Sequence, residues 1–311
     1  MRLDRRDLLL RAGALLAGAG RARADDRADR GEAEAPIPIW PDRPPGGGGP
    51  SGPLEVSDRG AIRNIAVPAL ELHRPERANG EAVLVAGGGG YKRIQMDSEA
   101  RPAARWLAAR GVTAFALRYR LPREGWAEGP LAPLQDAQRA LRVIAGLAPR
   151  LGFDPARISV LGFSAGGHLM GLAATRSAFA SYRPVDGLDD GAARPAGAAL
   201  IYPVVTLLPP YDHTSTRVQL VGRHPSRAES ADWSVETHVR GRCPPLFLVQ
   251  AEDDRVSDIA NTALLERAAR DADIPVERHV LPSGGHGFGM GRAGDPSAAW
   301  PQWYADWAGL S

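Results

Sequence analysis

The chain has 311 residues, 44% hydrophobic and 24% charged, which is ordinary globular composition and enough for one large α/β domain. The formal charge of +2 is uneven: residues 1–24 hold six arginines (Arg2, Arg5, Arg6, Arg11, Arg21, Arg23) against Asp4 and Asp7, leaving 32 basic and 34 acidic residues in the remainder. That balance leaves no basic stripe for phosphates and excludes nucleic acid as a partner, and a lone Cys243 excludes an internal disulfide or a cysteine metal cluster.

In chain order, the first feature is an address. Asp4-Arg5-Arg6-Asp7-Leu8-Leu9-Leu10 leads into an Ala/Gly/Leu stretch ending at Ala22-Arg23-Ala24. This is the layout of a twin-arginine export signal over residues 1–24, with cleavage expected after Ala24 into the periplasm or beyond. Leu8 to Gly20 is interrupted by Arg11 and falls short of the roughly 20 apolar residues of a spanning helix, so no stable membrane anchor is expected. Residues 25–53 follow as a flexible arm, charged at first and then rich in Pro and Gly, and residues 54–311 form the remaining domain.

Within that domain, apolar runs alternate with helical patterns. Strands are expected at Ile62–Val67, Ala82–Ala86, Val112–Arg118, Ile158–Gly162, Ala198–Tyr202, Leu246–Gln250 and Glu277–Leu281. Helices are expected at Ser98–Arg110, Pro133–Leu151, Gly166–Arg176, Ile259–Asp271 and Ala298–Leu310. Several strands are continuously apolar, as strands covered on both faces are, so the pattern is α/β with a mostly parallel central sheet and helices on both faces. Residues 207–242 lack clear periodicity and are expected to lie over the strand ends as a lid or loop-rich cap.

The chemistry concentrates at three places. Ile158-Ser159-Val160-Leu161-Gly162-Phe163-Ser164-Ala165-Gly166-Gly167 runs from a buried strand through G-x-S-x-G into a helix. A serine on so tight a turn needs very small neighbours two residues either side, and the turn lifts its hydroxyl to a helix N-terminus that favours a developing anion. This is the nucleophile turn of the α/β-hydrolase fold, whose acid and histidine follow the serine in that order. Downstream, the strand Leu246–Gln250 ends in Ala251-Glu252-Asp253-Asp254, three carboxylates among which chain order does not choose. Ser283-Gly284-Gly285-His286-Gly287 then offers a histidine on a glycine loop that can reach across the strand ends. Upstream, Val83–Ala86 runs into Gly87-Gly88-Gly89-Gly90-Tyr91, where backbone N–H groups of Gly89 and Gly90 can join that of Ala165 as oxyanion donors. Tyr91 is a candidate substrate contact, and with Trp40, Trp126 and Trp233 a candidate sugar-stacking surface. His168, four residues after Ser164, points away from the hydroxyl and is read as packing. No H-E-x-x-H or similar spacing appears, so neither metal nor other cofactor is expected.

Six motifs in order resemble the carbohydrate acetylesterases of the α/β-hydrolase fold, the acetyl-xylan-esterase-like group. They are Gly88–Tyr91, Leu117-Arg118-Tyr119-Arg120-Leu121-Pro122, Gly162–Leu169, Leu200–Val205, Pro244–Leu248 and Gly284–Gly289. The resemblance implies a Ser164–His286–Asp254 triad and removal of small acyl groups, typically acetyl, from sugars or oligosaccharides. The group's acid stands at D-x-x-V-P, often as the second of two aspartates, which aligns Asp254. This chain has Ser257-Asp258 where Val-Pro is usual, and Asp253 with Val256 fits D-x-x-V by itself. General short-chain esters or small amides, and a non-catalytic carbohydrate-binding relative, are the alternative functions. No feature of the sequence bears on oligomeric state.

Overall fold

The structure is a computed structural model and describes residues 35–310. The export signal expected at 1–24 and the charged stretch that follows it, up to residue 34, lie outside the described residues.

The strands are β1 (Ile37–Pro38), β2 (Glu55–Val56), β3 (Ala61–Arg63), β4 (Ala69–His73), β5 (Ala82–Ala86), β6 (Ile94–Gln95), β7 (Thr113–Arg118), β8 (Ile158–Phe163), β9 (Ala198–Ile201), β10 (Leu246–Ala251) and β11 (Val276–Leu281). The helices are α1 (Arg101–Ala108), α2 (Ala132–Leu151), α3 (Ala165–Thr175), α4 (Ser215–Val221), α5 (Arg227–Asp232), α6 (Ala260–Asp271) and α7 (Trp300–Ala308). The main sheet has the order β1-β4-β7-β5-β8-β9-β10-β11, antiparallel from β1 to β7 and parallel from there to β11. Helices cover both faces, so β5 is apolar and buried at every residue, and β10 is buried throughout with Gln250 as its one polar residue. A small antiparallel sheet, β2-β3-β6, stands beside it.

The register positions the site. Ala86 pairs with Gly162, Phe163 with Ile201 and Ala251 with Leu281. The loops after β5, β8, β10 and β11 therefore emerge together at the carboxyl edge of the parallel strands, where open α/β sheets build their sites.

Three expectations are corrected. The strand expected at Ile62–Val67 shortens to β3, because Asn64 takes φ 58° and spends its side chain on the Ser51 and Pro53 carbonyls. The sheet strand is instead β4, whose alternating Leu70-Glu71-Leu72-His73 sits near the sheet edge with Glu71 holding Arg101 and Arg118 at 2.7 and 2.6 Å. The Pro/Gly-rich stretch from Pro36 to Pro53 is not a free arm. Its Ile37–Pro38 pair with β4, and Ile39 and Trp40 are 1% and 4% exposed. Helix α2 holds them there: Trp40 Nε1 donates to Asp136 Oδ1 (2.8 Å) and Arg139 Nε donates to the Ile39 carbonyl (2.8 Å). Burying one side chain of the Ile class contributes about 1.5–3 kcal/mol towards holding the segment in place.

Residues 207–242 do lie over the strand ends, but as two short helices rather than loop alone. Thr214 caps α4 by accepting from the Arg217 N–H, and Ser226 with Glu229 forms a capping box on α5. Ser215 Oγ donates to the Gly90 carbonyl (3.0 Å) and so ties this cap to the glycine loop after β5.

Candidate active site

Ser164 occupies the one-residue turn between β8 and α3, at φ 51° and ψ −118°. A non-glycine residue there stores about 1–3 kcal/mol of strain and persists only when its surroundings hold it. Here its N–H donates to the Ile201 carbonyl, and its own carbonyl accepts from His168 and Val204. The turn also needs a small residue two positions on: a Cβ at Gly166 would lie 2.3 Å from the Ala86 carbonyl oxygen. Ser164 makes no side-chain cap to the helix, which leaves its hydroxyl for other work.

That hydroxyl lies 2.7 Å from His286 Nε2, and His286 Nδ1 lies 2.8 Å from Asp254 Oδ2. The other Asp254 oxygen accepts the N–H groups of Val256 and Ser257, both at 2.9 Å, which fixes the carboxylate as an acceptor. Asp253 takes a different part. Its Oδ1 accepts the Gly285 N–H at 2.8 Å, steadying the histidine loop without touching the ring. Ser164, His286 and Asp254 are thus brought together, and Asp253 stands one step outside.

Gly89 and Gly90 line the cleft over Ser164. Gly89 takes φ 118°, and a Cβ on it would lie 2.3 Å from the Arg93 carbonyl oxygen, so only glycine turns the chain here. Among the described residues no protein acceptor takes the N–H groups of Gly89, Gly90 or Ala165. The cleft has a volume of about 320 Å³. Lys92, Arg93, Gln95 and the cap residues Thr214–Thr216 give it polar walls, and Val204 and Val256 an apolar patch.

Tyr91 differs from its expected role. Its side chain is 1% exposed and its hydroxyl donates to His168 Nδ1 (3.0 Å), so it does not reach the cleft. Trp40 and Trp126 are buried and Trp233 packs against the core, so the stacking surface expected of these four rings is absent. Cys243 is buried, and burial pushes its thiol up to about 12, as fits a packed residue.

His168 is fully buried, with Nε2 donating to the Trp233 carbonyl (2.7 Å) and Nδ1 accepting from Tyr91. Burial pushes it down from 6.5 to about 4, against the pull of that carbonyl. Between those values the unfolded chain binds the proton and the folded one does not, so stability is complete above about pH 6.5 and falls as pH drops towards 4. The full span is about 3 kcal/mol. Urea unfolding of the parent and His168→Gln at pH 7.5 and pH 4.5 is expected to show a smaller pH loss in the variant; equal losses would contradict the assignment.

Two residues beside Ser164 and His286 escaped the sequence reading, Glu99 and Tyr202. Glu99 lies on the buried stripe with Ala103 and Leu107, at spacings of four, and a carboxylate on such a stripe was the available signal.

A family model described as BD-FAE matches residues 70–268. Endo-1,4-beta-xylanase B of Butyrivibrio fibrisolvens is 31% identical over 234 residues, 74% of this chain and 34% of that protein. An acetylxylan esterase of Xylanibacter ruminicola is 28% identical over 242 residues, 76% of this chain and 46% of that protein. The chain therefore spans between a third and a half of the length of these two relatives. Among solved structures, an acetyl ester-xyloside bifunctional hydrolase from Caldicellulosiruptor lactoaceticus is 30% identical with a TM-score of 0.69, covering 91% of this chain and 95% of that one. An esterase of Thermogutta terrifontis, 21% identical with a TM-score of 0.64 over 86% and 97% of the two chains, shares the fold. With more than half of its length under the family model, the chain belongs to the BD-FAE family, an acetyl-xylan-esterase-like group of α/β-hydrolases.

Proposed function

We propose that this protein is a serine esterase that removes short acyl groups, acetyl foremost, from sugars or oligosaccharides. The observation that carries the reading is the unbroken chain from Ser164 Oγ to His286 to Asp254, at 2.7 and 2.8 Å, opening on a small polar cleft. Both distances lie within the reach needed for proton transfer and for orienting the base.

His286 Nε2 takes the proton from Ser164 Oγ as the oxygen attacks the ester carbonyl carbon. Asp254 keeps the proton of the neutral ring on Nδ1 and stabilises the imidazolium that forms. The tetrahedral oxyanion is met by the N–H groups of Ala165, Gly89 and Gly90, at the N-terminus of α3. His286 then returns its proton to the departing sugar alkoxide, leaving an acyl-serine. A water, deprotonated by His286, attacks that ester and releases the acid and free Ser164.

The cleft supports a small acyl group on a polyhydroxylated partner. Its side chains from Lys92, Gln95 and Thr214–Thr216 offer hydrogen bonds to hydroxyls, whereas a long acyl chain would forfeit the roughly 0.8 kcal/mol per methylene that an apolar tunnel supplies. The twin-arginine pattern in residues 1–24 supports action outside the cytoplasm, where such polymers are met. The test is a panel of acetyl, butyryl and octanoyl p-nitrophenyl esters, acetylated xylo-oligosaccharide and an acetanilide. The expected kcat/KM for acetyl exceeds that for octanoyl by about tenfold or more, with acetate released from the oligosaccharide. Preference for octanoyl would move the function to lipid esters, and preference for the anilide to amides.

A further inference from the structure

A second carboxylate stands in the wall of the cleft, and the mechanism above leaves it unused. Glu99 is 4% exposed and lines the cleft with Ser164 and His286. It is carried on a single π turn, Met96–Ala100, directly ahead of α1. Turns of this kind are rare and frequently lie at functional sites.

Both of its oxygens are engaged. Oε2 accepts the Gly88 N–H at 2.5 Å, and Oε1 accepts the Tyr202 hydroxyl proton at 3.0 Å. The Tyr202 oxygen in turn accepts the Gly289 N–H at 3.0 Å. Gly88 immediately precedes the two glycines whose N–H groups face the cleft, and Gly289 closes the loop that carries His286. The Tyr202 ring also meets the rings of His286 and Phe288 edge-on, with centroids 4.9 and 4.4 Å apart. Three hydrogen bonds in series therefore run from the glycine loop through one carboxylate and one phenol to the histidine loop. No arginine or lysine pairs with Glu99 among the described residues. Burial pushes its carboxyl up, against the pull of the Gly88 N–H and the Tyr202 hydroxyl.

We propose that Glu99 is a positioning residue of this active site, fixing the oxyanion loop through Gly88 and the histidine loop through Tyr202 so that donors and base keep one spacing. The inference rests on the serine-esterase reading. Donor placement counts most where charge develops, so a loosened loop lowers kcat while leaving KM nearly unchanged. Glu99→Gln keeps the size but turns one acceptor into a donor that faces either the Gly88 N–H or the Tyr202 hydroxyl. Tyr202→Phe keeps the ring against His286 and removes only the link.

The experiment measures kcat and KM on p-nitrophenyl acetate for the full chain, per active site titrated with a fluorophosphonate, and per chain for Ser164→Ala, which has no serine to titrate. The variants are Glu99→Gln, Tyr202→Phe, the double variant and Ser164→Ala, and the inhibition constant of a boronic acid that forms a tetrahedral serine adduct is measured for each except Ser164→Ala. Glu99→Gln is expected to lose about 10- to 100-fold in kcat with KM within threefold, and boronate affinity falls with kcat. Tyr202→Phe is expected to lose about 3- to 10-fold, and the double variant little more than Glu99→Gln, because both break one link. A purely structural role would reduce the titrated fraction and leave kcat per site intact. The proposal is overturned by a Glu99→Gln kcat within twofold of the parent, by a loss confined to KM, or by losses that multiply in the double variant. Should Glu99→Gln fail to fold, Tyr202→Phe decides, and a kcat within twofold of the parent overturns the proposal. Undiminished turnover in Ser164→Ala would instead overturn the serine-esterase reading itself.

Discussion

Replacing Ser164 with alanine is expected to lower kcat on p-nitrophenyl acetate by about 10⁵-fold or more while the protein stays folded. The size follows from the pathway. Without Oγ no acyl-enzyme forms, and His286 can only activate water against a carbonyl held by the oxyanion donors. That residual route is orders of magnitude slower than nucleophilic attack from a bound hydroxyl. Folding is expected to survive because the Ser164 side chain makes no cap to α3 and, among the described residues, its hydroxyl bonds only to His286. Rates for parent and variant, with circular dichroism to confirm the fold, check both halves. A variant that keeps one tenth of parental kcat contradicts the assignment of Ser164.

The second large effect separates two adjacent aspartates. Asp254→Asn is expected to cost about 10⁴-fold in kcat, and Asp253→Asn less than about threefold. In Asp254→Asn, the oxygen held by the Val256 and Ser257 N–H groups remains an acceptor, so the amide NH₂ turns towards His286 Nδ1. Nδ1 must then accept, the ring proton moves to Nε2, and the histidine presents a donor to Ser164 where a base is needed. Among the described residues the Asp253 side chain hydrogen-bonds only to the Gly285 N–H, and an asparagine oxygen there still accepts it. Similar kcat losses at the two positions would contradict this division of roles.

The division also shows where the sequence stopped speaking. Carboxylates at positions 253 and 254 both follow the end of β10, and which one meets the histidine depends on the turn that the Val256 and Ser257 N–H groups impose on residue 254. That turn has no one-residue signature, and the usual Val-Pro after it is replaced here by Ser257-Asp258. Ser164 and His286 were legible for the opposite reason. A serine between glycines at the end of a buried strand admits few structures, because any Cβ at Gly166 would strike the Ala86 carbonyl.

Elsewhere, legibility followed element length. Helices α2 and α6 run 20 and 12 residues, long enough for an apolar stripe to repeat. Helices α4 and α5 run 7 and 6, too short for a period to show, so their caps carried the only local signal. Ile37-Pro38-Ile39-Trp40 was hidden by the Pro and Gly after it. Its partners on α2, Asp136 and Arg139, lie about a hundred residues away in sequence. Glu99 was hidden because a carboxylate near a helix start is ordinary, and its partner Tyr202 lies 103 residues away in sequence.

The central claim is that Ser164 carries the acyl group between two half-reactions. Its most direct test is intact-protein and peptide mass spectrometry after exposure to a fluorophosphonate, with Ser164→Ala alongside. One adduct per chain is expected, mapped to the peptide that contains Ser164, with loss of esterase turnover in proportion to labelling and no adduct in the variant. Full turnover in fully exposed but unlabelled protein, or an adduct on a residue other than Ser164 that tracks the loss of activity, would contradict it.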